Sequence, residues 1–201
     1  FVGEISDKDK AILKNTGVDY GLFSEDGVFL LENRYVFPVR DLLGSTVALI
    51  GWYPDKNYKR KYITTPSKLF SKRCLFYGME QIGETGIGRK YVLVEGIFDS
   101  LSVRSLGIPC IAQMGITTSR YKVSMYSLFS EIVAIPDNDL EGKNVIAVDS
   151  WKLPTGSKYF RWVGDNCKDI DDLCNSYDKE DIYDFISTSF SDKRRVVTKK
   201  V

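Results

Sequence analysis

The sequence contains no histidine, and its four cysteines, Cys74, Cys110, Cys167 and Cys174, include no C-x-x-C pair. A structural zinc site needs that spacing or histidine partners, so no zinc is expected and the thiols read as reduced, small, apolar side chains. An excess of one charge is missing too. The chain carries 28 Lys and Arg against 27 Asp and Glu, a net of +1. Such a balance argues against a uniformly basic nucleic-acid coat, but it leaves room for a basic patch offset by an acidic site. No apolar run approaches the roughly 20 residues that span a bilayer, and no amino-terminal segment reads as a signal peptide. No membrane partner is expected, and a cytoplasmic location is. There is no internal repeat and no low-complexity tract. The first residue is Phe1 rather than Met, so the chain is read as part of a longer protein.

What is present is ordinary in amount and uneven in placement. With 201 residues, 43% of them hydrophobic, the chain can bury the core of one large domain or two small ones. Basic residues cluster in "KNYKRKY" at 56–62, in "KLFSKR" at 68–73 and near the end in "KRR…KK".

The rhythm changes midway. Ser6 and Asp7 can cap a helix through "KDKAILKNTG", with Gly17 as its stop signal. The runs "GVFLLE", "RYVFPVRD", "TVALIGWY" and "KYITTPSKLF" then read as strands separated by turn signals. Residues 1–88 are expected to form a small α+β lobe built on an antiparallel sheet. From Lys90 the pattern alternates. "KYVLVEG", "IPCIAQMG", "EIVAIPD" and "SKYFRWVGD" read as strands, with helices between them and two more at the end. Such alternation predicts an α/β fold with a parallel sheet and right-handed crossovers over residues 89–190. "NVIAVDSW" has β-branched residues that favour a strand, yet the alternation requires a crossover helix there. Residues 191–201 read as a basic tail or linker.

Carboxylates fall at the ends of these strands. Glu95 follows "YVLV", Asp137 and Asp139 follow "EIVAI", and Asp169 and Asp171 follow "KYFRWV". In an open parallel sheet all carboxyl ends lie at one edge, where ligands bind. The acids should therefore converge there, with Asp99 close by at the start of the next helix. Taken singly, Asp99 is equally a helix cap, and Asp169 and Asp171 equally complement a helix dipole. Glu95 is neither a core residue nor a standard cap. Convergent like charges must take up protons or bind cations. Hard oxygen ligands without His or Cys suit Mg²⁺ or Mn²⁺, and two such ions about 4 Å apart can support phosphoryl transfer.

"YVLVEGIFDSLSVRSLGIPCIAQMGITTS" followed by "AIPDNDLEGKN" resembles the Toprim domain, whose signature is Glu-Gly after one strand and D-x-D after another. The segments "ENRYVFPVRDLLGSTVALIGWY" and "KRKYITTPSKLFSKRCLFYGME" resemble the amino-terminal lobe of the RNA-polymerase domain of DnaG-type, phage-like primases. Together they cover roughly residues 25–180. The resemblance implies a Toprim-type parallel sheet flanked by helices and preceded by that lobe. The activity it implies is synthesis of short RNA primers on single-stranded DNA. It assigns catalysis to Glu95, Asp137 and Asp139. It assigns two or more Mg²⁺ or Mn²⁺ ions to these three with Asp99, Asp169 and Asp171. It assigns nucleotide or DNA contacts to Arg34, Arg40, Lys61, Thr64 and Lys72. The partners it implies are a single-stranded template, ribonucleoside triphosphates and a replicative helicase, fused or separate, in the cytoplasm of a phage's bacterial host. Two positions depart from the family pattern. Trp52 stands where an Arg is usual, with Arg60 or Lys59 as substitutes, and "TTP" replaces "NSP", so Thr64 replaces an amide. A Toprim-type metal-dependent nuclease is the alternative, and a non-enzymatic DNA-binding module is a third reading.

Overall fold

The computed structural model describes residues 6–8, 11, 15, 22–24, 29–55, 57–116, 118–148, 151–160 and 167–189. The expected amino-terminal helix lies largely outside these residues, as do the end of the strand expected at "SKYFRWVGD" and the basic tail. Two compact units divide the chain, residues 1–71 and 72–201.

In the first unit, β1 (Tyr35–Arg40), β2 (Thr46–Trp52) and β3 (Tyr62–Thr64) form an antiparallel sheet in the order β1-β2-β3. Strand alternation divides its side chains between two faces. Val36, Leu49 and Ile63 pack on a cluster of Leu22, Phe29 and Leu31. Val39, Ala48 and Ile50, on the opposite face, are buried as well. The hairpin between β1 and β2 is closed by Asp41, whose Oδ1 accepts the Leu43 and Ser45 amides at 2.9 Å. Over the described residues 29–32 of "GVFLLE" the expected strand does not form. Phe29 makes an isolated bridge to Phe23, and the chain then turns through Asn33, at φ 56°. Asn tolerates that left-handed conformation better than most residues, and the turn ends the strand pattern before β1.

The second unit is built on four parallel strands, β4 (Arg89–Val94), β5 (Cys110–Ala112), β6 (Phe129–Ile135) and β7 (Lys158–Tyr159), in the order β5-β4-β6-β7. The central strands are buried on both faces. Tyr91–Val94 of β4 and Ile132–Ala134 of β6 are fully inaccessible, as expected of a parallel sheet whose strands read as continuous apolar runs. Each buried aliphatic side chain there contributes about 1.5–3 kcal/mol. The helices are α1 (Glu80–Thr85), α2 (Ile97–Ser105), α3 (Arg120–Met125), α4 (Leu140–Val148), α5 (Ile170–Ser176) and α6 (Lys179–Ser189). "NVIAVDSW" contributes to the crossover helix α4, so the demands of topology outweigh its β propensity.

The short helix α1 has no counterpart in the expected pattern, because six residues are too few to show a helical period. Its segment belongs with the second unit. Tyr77 and Ala112 exchange backbone hydrogen bonds at 2.9 and 3.0 Å, and the Gln81 amide donates to the carbonyls of Cys110 and Gly78 at 2.6 and 2.8 Å. The lobe boundary expected at 88 thus falls, in the compact division, at 71. Among the described residues no helix is long and apolar enough to cross a membrane.

Candidate active site

Strand order decides where the site can lie. From β4 the chain crosses to β5 on one side and later returns to β6 on the other, so β4 and β6 flank a topological switch point. Val94 and Ile135 pair at the ends of these strands. Glu95 and Asp137 therefore follow the ends of two neighbouring strands.

Local hydrogen bonds set each carboxylate. Asp99, at the third residue of α2, accepts the Gly96 amide at 3.0 Å and the Asp171 amide at 3.3 Å. A Cβ on Gly96 would stand 2.6 Å from Asp99 Oδ2, so glycine permits this close return. Asp139 Oδ1 accepts the Gly142 amide at 2.7 Å at the start of α4, spending one of its two oxygens on a capping bond. Asp169 caps α5 through the Asp172 amide at 2.8 Å. The Asp171 carboxylate accepts the Ser102 hydroxyl, tying α5 to α2. Asn138 joins the two acidic loops, its amide donating to the Lys168 carbonyl at 2.6 Å and its side chain to the Cys167 carbonyl at 2.9 Å. The Glu95 carbonyl accepts the Met114 amide at 3.0 Å, which links the loop after β5 to the end of β4.

The acids at these strand and helix ends act on one another's titration. Burial pushes the Asp137 carboxyl up to about 7, with further upward pressure from Glu95, Asp99 and Asp169. Burial, then Asp169, raises Asp99 to about 6. Glu95 is raised by burial and by the charges of Asp139, Glu141 and Asp99. Lys168 is the cation that offsets Glu95 and Asp137, and its own ammonium is held above its ordinary value chiefly by Asp169, 3.4 Å away. Neither Glu141 nor Lys168 was singled out on the sequence, although both adjoin the acidic motifs. Among the described residues no three or more acidic, His or Cys side chains are grouped so that they could hold a metal ion as they stand. The donor set nevertheless fits a hard divalent cation. It is all oxygen, partly buried and overcharged, and bound positive charge relieves that condition directly.

The expected nucleotide contacts are spread over both units. Arg40 is exposed and donates to the Gly44 carbonyl at 2.9 Å. Lys61 is exposed and Thr64 half-buried in β3, while Lys72 is exposed in the second unit. Arg34 is buried. Its guanidinium donates to the Lys61 and Arg60 carbonyls at 2.8 and 2.9 Å and lies 5.5 Å from the ring centroids of both Tyr53 and Tyr58. It anchors the basic turn from within. Arg34→Ala is expected to cost about 1–3 kcal/mol, because two carbonyls lose a charged donor. Arg34→Lys should restore little, since an ammonium lacks the planar fork. Denaturant midpoints of the three proteins check both points, and full rescue by Lys would contradict the anchoring role.

Comparison with known proteins gives two successive family matches. Residues 6–83 match "DNA primase catalytic core, N-terminal domain" and residues 92–174 match "Toprim-like". The DNA primase of Clostridium acetobutylicum is 30% identical over 115 residues, covering 56% of this chain and 19% of that protein. The chain thus spans about a fifth of that relative's length. Among solved structures, a DnaG catalytic core superposes with a TM-score of 0.70 at 20% identity, covering 91% of this chain and 60% of that one. A DnaG primase catalytic domain bound to single-stranded DNA gives 0.67 at 20% identity, covering 88% and 59%.

Proposed function

Because the chain belongs to the DnaG-type DNA primases, with their amino-terminal catalytic-core module followed by a Toprim-like one, we propose that it is the catalytic core of a primase. It synthesises short RNA primers on single-stranded DNA from ribonucleoside triphosphates. The observation that supports the reading is that Glu95 and Asp137 follow the paired ends of neighbouring parallel strands and that both are raised, by burial first and then by nearby acids.

Glu95, Asp137 and Asp139 would hold divalent Mg²⁺ or Mn²⁺, with Asp99, Asp169 and Asp171 in support. Ions bound there would supply Lewis-acid stabilisation of the reacting phosphates and a more nucleophilic primer hydroxyl. The protein's own part is to keep the carboxylates aimed. The Gly142 amide fixes Asp139, the Gly96 and Asp171 amides fix Asp99, and Asn138 holds the two acidic loops at one spacing. Lys168 moderates the field without cancelling it. The exposed cations Arg40, Lys61 and Lys72 would neutralise template and triphosphate phosphates, and Thr64 would add a polar contact. A replicative helicase, fused or separate, completes the proposed partners, and a phage-infected bacterial cytoplasm the proposed setting.

The test is incorporation of labelled ribonucleotides on a single-stranded template with Mg²⁺ or Mn²⁺, run beside nicking of supercoiled plasmid. Template-dependent products without nicking are expected. Nicking without incorporation would transfer the site to a Toprim nuclease.

A further inference from the structure

Trp52 is part of a row. Strand register places Tyr35 opposite Trp52 and Trp52 opposite Tyr62, one aromatic on each strand of the first unit's sheet. The Tyr35 and Trp52 ring centroids are 5.6 Å apart and tilted by 45°. Farther along the same face Val39, Ala48 and Ile50 are buried, whereas Tyr35 and Tyr62 are 40% and 49% exposed and Trp52 is half-buried. The apolar face of the sheet thus ends in a row of accessible rings.

Exposed aromatics alone would name no occupant, but the charge beside them does. Lys59, Arg60 and Lys61 lead directly into Tyr62 and are all exposed. Arg34 fixes the backbone of that turn through the Arg60 and Lys61 carbonyls, and Asp55, in the same turn, spends Oδ1 on the Asn57 amide at 2.8 Å. A rigid aromatic row beside a fixed strip of cations suits a polyanion that carries flat apolar faces. Single-stranded DNA meets both demands, since cations follow its phosphates while its bases stack on aromatic rings. A duplex hides those base faces.

We propose that Tyr35, Trp52 and Tyr62 form a base-stacking platform for single-stranded DNA, on which Trp52 engages a template base. The proposal rests on the single-stranded-template reading above. It adds that the grip in this lobe is partly stacking and therefore partly independent of salt.

The experiment measures binding of the full chain to fluorescently labelled oligo(dT) as a function of salt. Trp52→Ala and Tyr62→Ala should each weaken binding about tenfold and leave the salt dependence unchanged, whereas Lys61→Ala should lower the salt slope by about one contact. Trp52→Phe should restore affinity while removing most of the oligonucleotide-induced quenching of tryptophan emission. Tyr62, being more exposed, serves as the second variant should Trp52→Ala fold poorly. On an abasic oligonucleotide the alanine effects should vanish. Oligo(dT) binding that is unchanged in both alanine variants would overturn the platform and leave the primase reading intact. Absence of any binding by the wild type would overturn both. Loss of self-association in the variants, with DNA binding untouched, would assign the row to contact between copies of the chain and also overturn it.

Discussion

Asp137→Asn is expected to make the metal-free protein more stable at pH 8 while reducing template-directed incorporation by about a thousandfold or more. The two effects share a cause. The Asp137 carboxyl is pushed up to about 7, first by burial and then by Glu95, Asp99 and Asp169. A carboxyl raised in the folded state favours folding when protonated. Its contribution is complete below the unfolded value near 3.9 and is lost as pH rises through about 7. Asp99, raised to about 6, adds in the same direction. The melting temperature of the wild type in chelator should therefore fall between pH 5 and pH 8.

Because Asp137 is only partly buried, solvent screening reduces the effect to about 1 kcal/mol at pH 8. For a chain of this size that corresponds to roughly 2–4 °C. Asn keeps the shape without the charge, so the variant should lose most of the decline and melt higher at pH 8. The activity cost follows from the same missing charge. Weakened stabilisation of the reacting phosphates, worth several kcal/mol, accounts for a thousandfold loss at about 1.36 kcal/mol per tenfold. Added Mn²⁺ should raise the wild-type melting temperature more at pH 8 than at pH 5, since ions bind the deprotonated form and stabilise by mass action. In Asp137→Asn that rise should shrink. Thermal melts at the two pH values, with chelator or Mn²⁺, read all of this. A variant that melts no higher than wild type and still incorporates nucleotides would remove Asp137 from the site.

The parts of this arrangement that were legible in the sequence are those fixed by strand order. Apolar runs ending in Glu95 and in Asp137–Asp139 announce two buried parallel strands with acids at one edge, and the structure places those strands beside each other at the switch point. The helical state of "NVIAV", the part of this segment within α4, was legible only through topology, because its local propensity argues the other way. What was not legible depends on pairing between distant segments. Tyr77 joins the second unit through Ala112, a partner 35 residues away that no local pattern reveals. Arg34 resembles a surface cation until its guanidinium is found on the Arg60 and Lys61 carbonyls. Lys168, next to Asp169, could have been noticed as a cation amid acids. Its influence on Asp137 and Glu95 needs the loop folded against Asn138.

The glycine in "PDNDLEGKN" supplies the second large effect, and here two physical terms oppose each other. Gly142 lies in the first turn of α4. Helix propensity alone predicts that Gly142→Ala stabilises by about 1 kcal/mol. Close packing predicts the reverse. A Cβ at Gly142 would overlap the Asp137 carbonyl oxygen and stand 2.8 Å from its carbonyl carbon and 3.0 Å from its amide nitrogen. These are backbone atoms, so no rotamer change relieves the clash. At Gly96, by contrast, the neighbour is the end of the Asp99 side chain, so relief costs its bond to the Gly96 amide rather than a shift of distant backbone. Either α4 or the Asp137 loop must move, and the loop is held by Asn138 on the one side and by the Asp139–Gly142 capping bond on the other. Overpacking of this kind costs about 1–3 kcal/mol, which exceeds the propensity gain. A displacement of about 1 Å at Asp137 costs about a hundredfold in rate. Gly142→Ala is therefore expected to lower the denaturant midpoint and to cut primer synthesis about a hundredfold, while Gly96→Ala has the smaller effect on both. An alanine variant that is more stable than wild type and equally active would show that α4 can slide clear, and that the spacing between Asp137 and Asp139 is not set by this glycine.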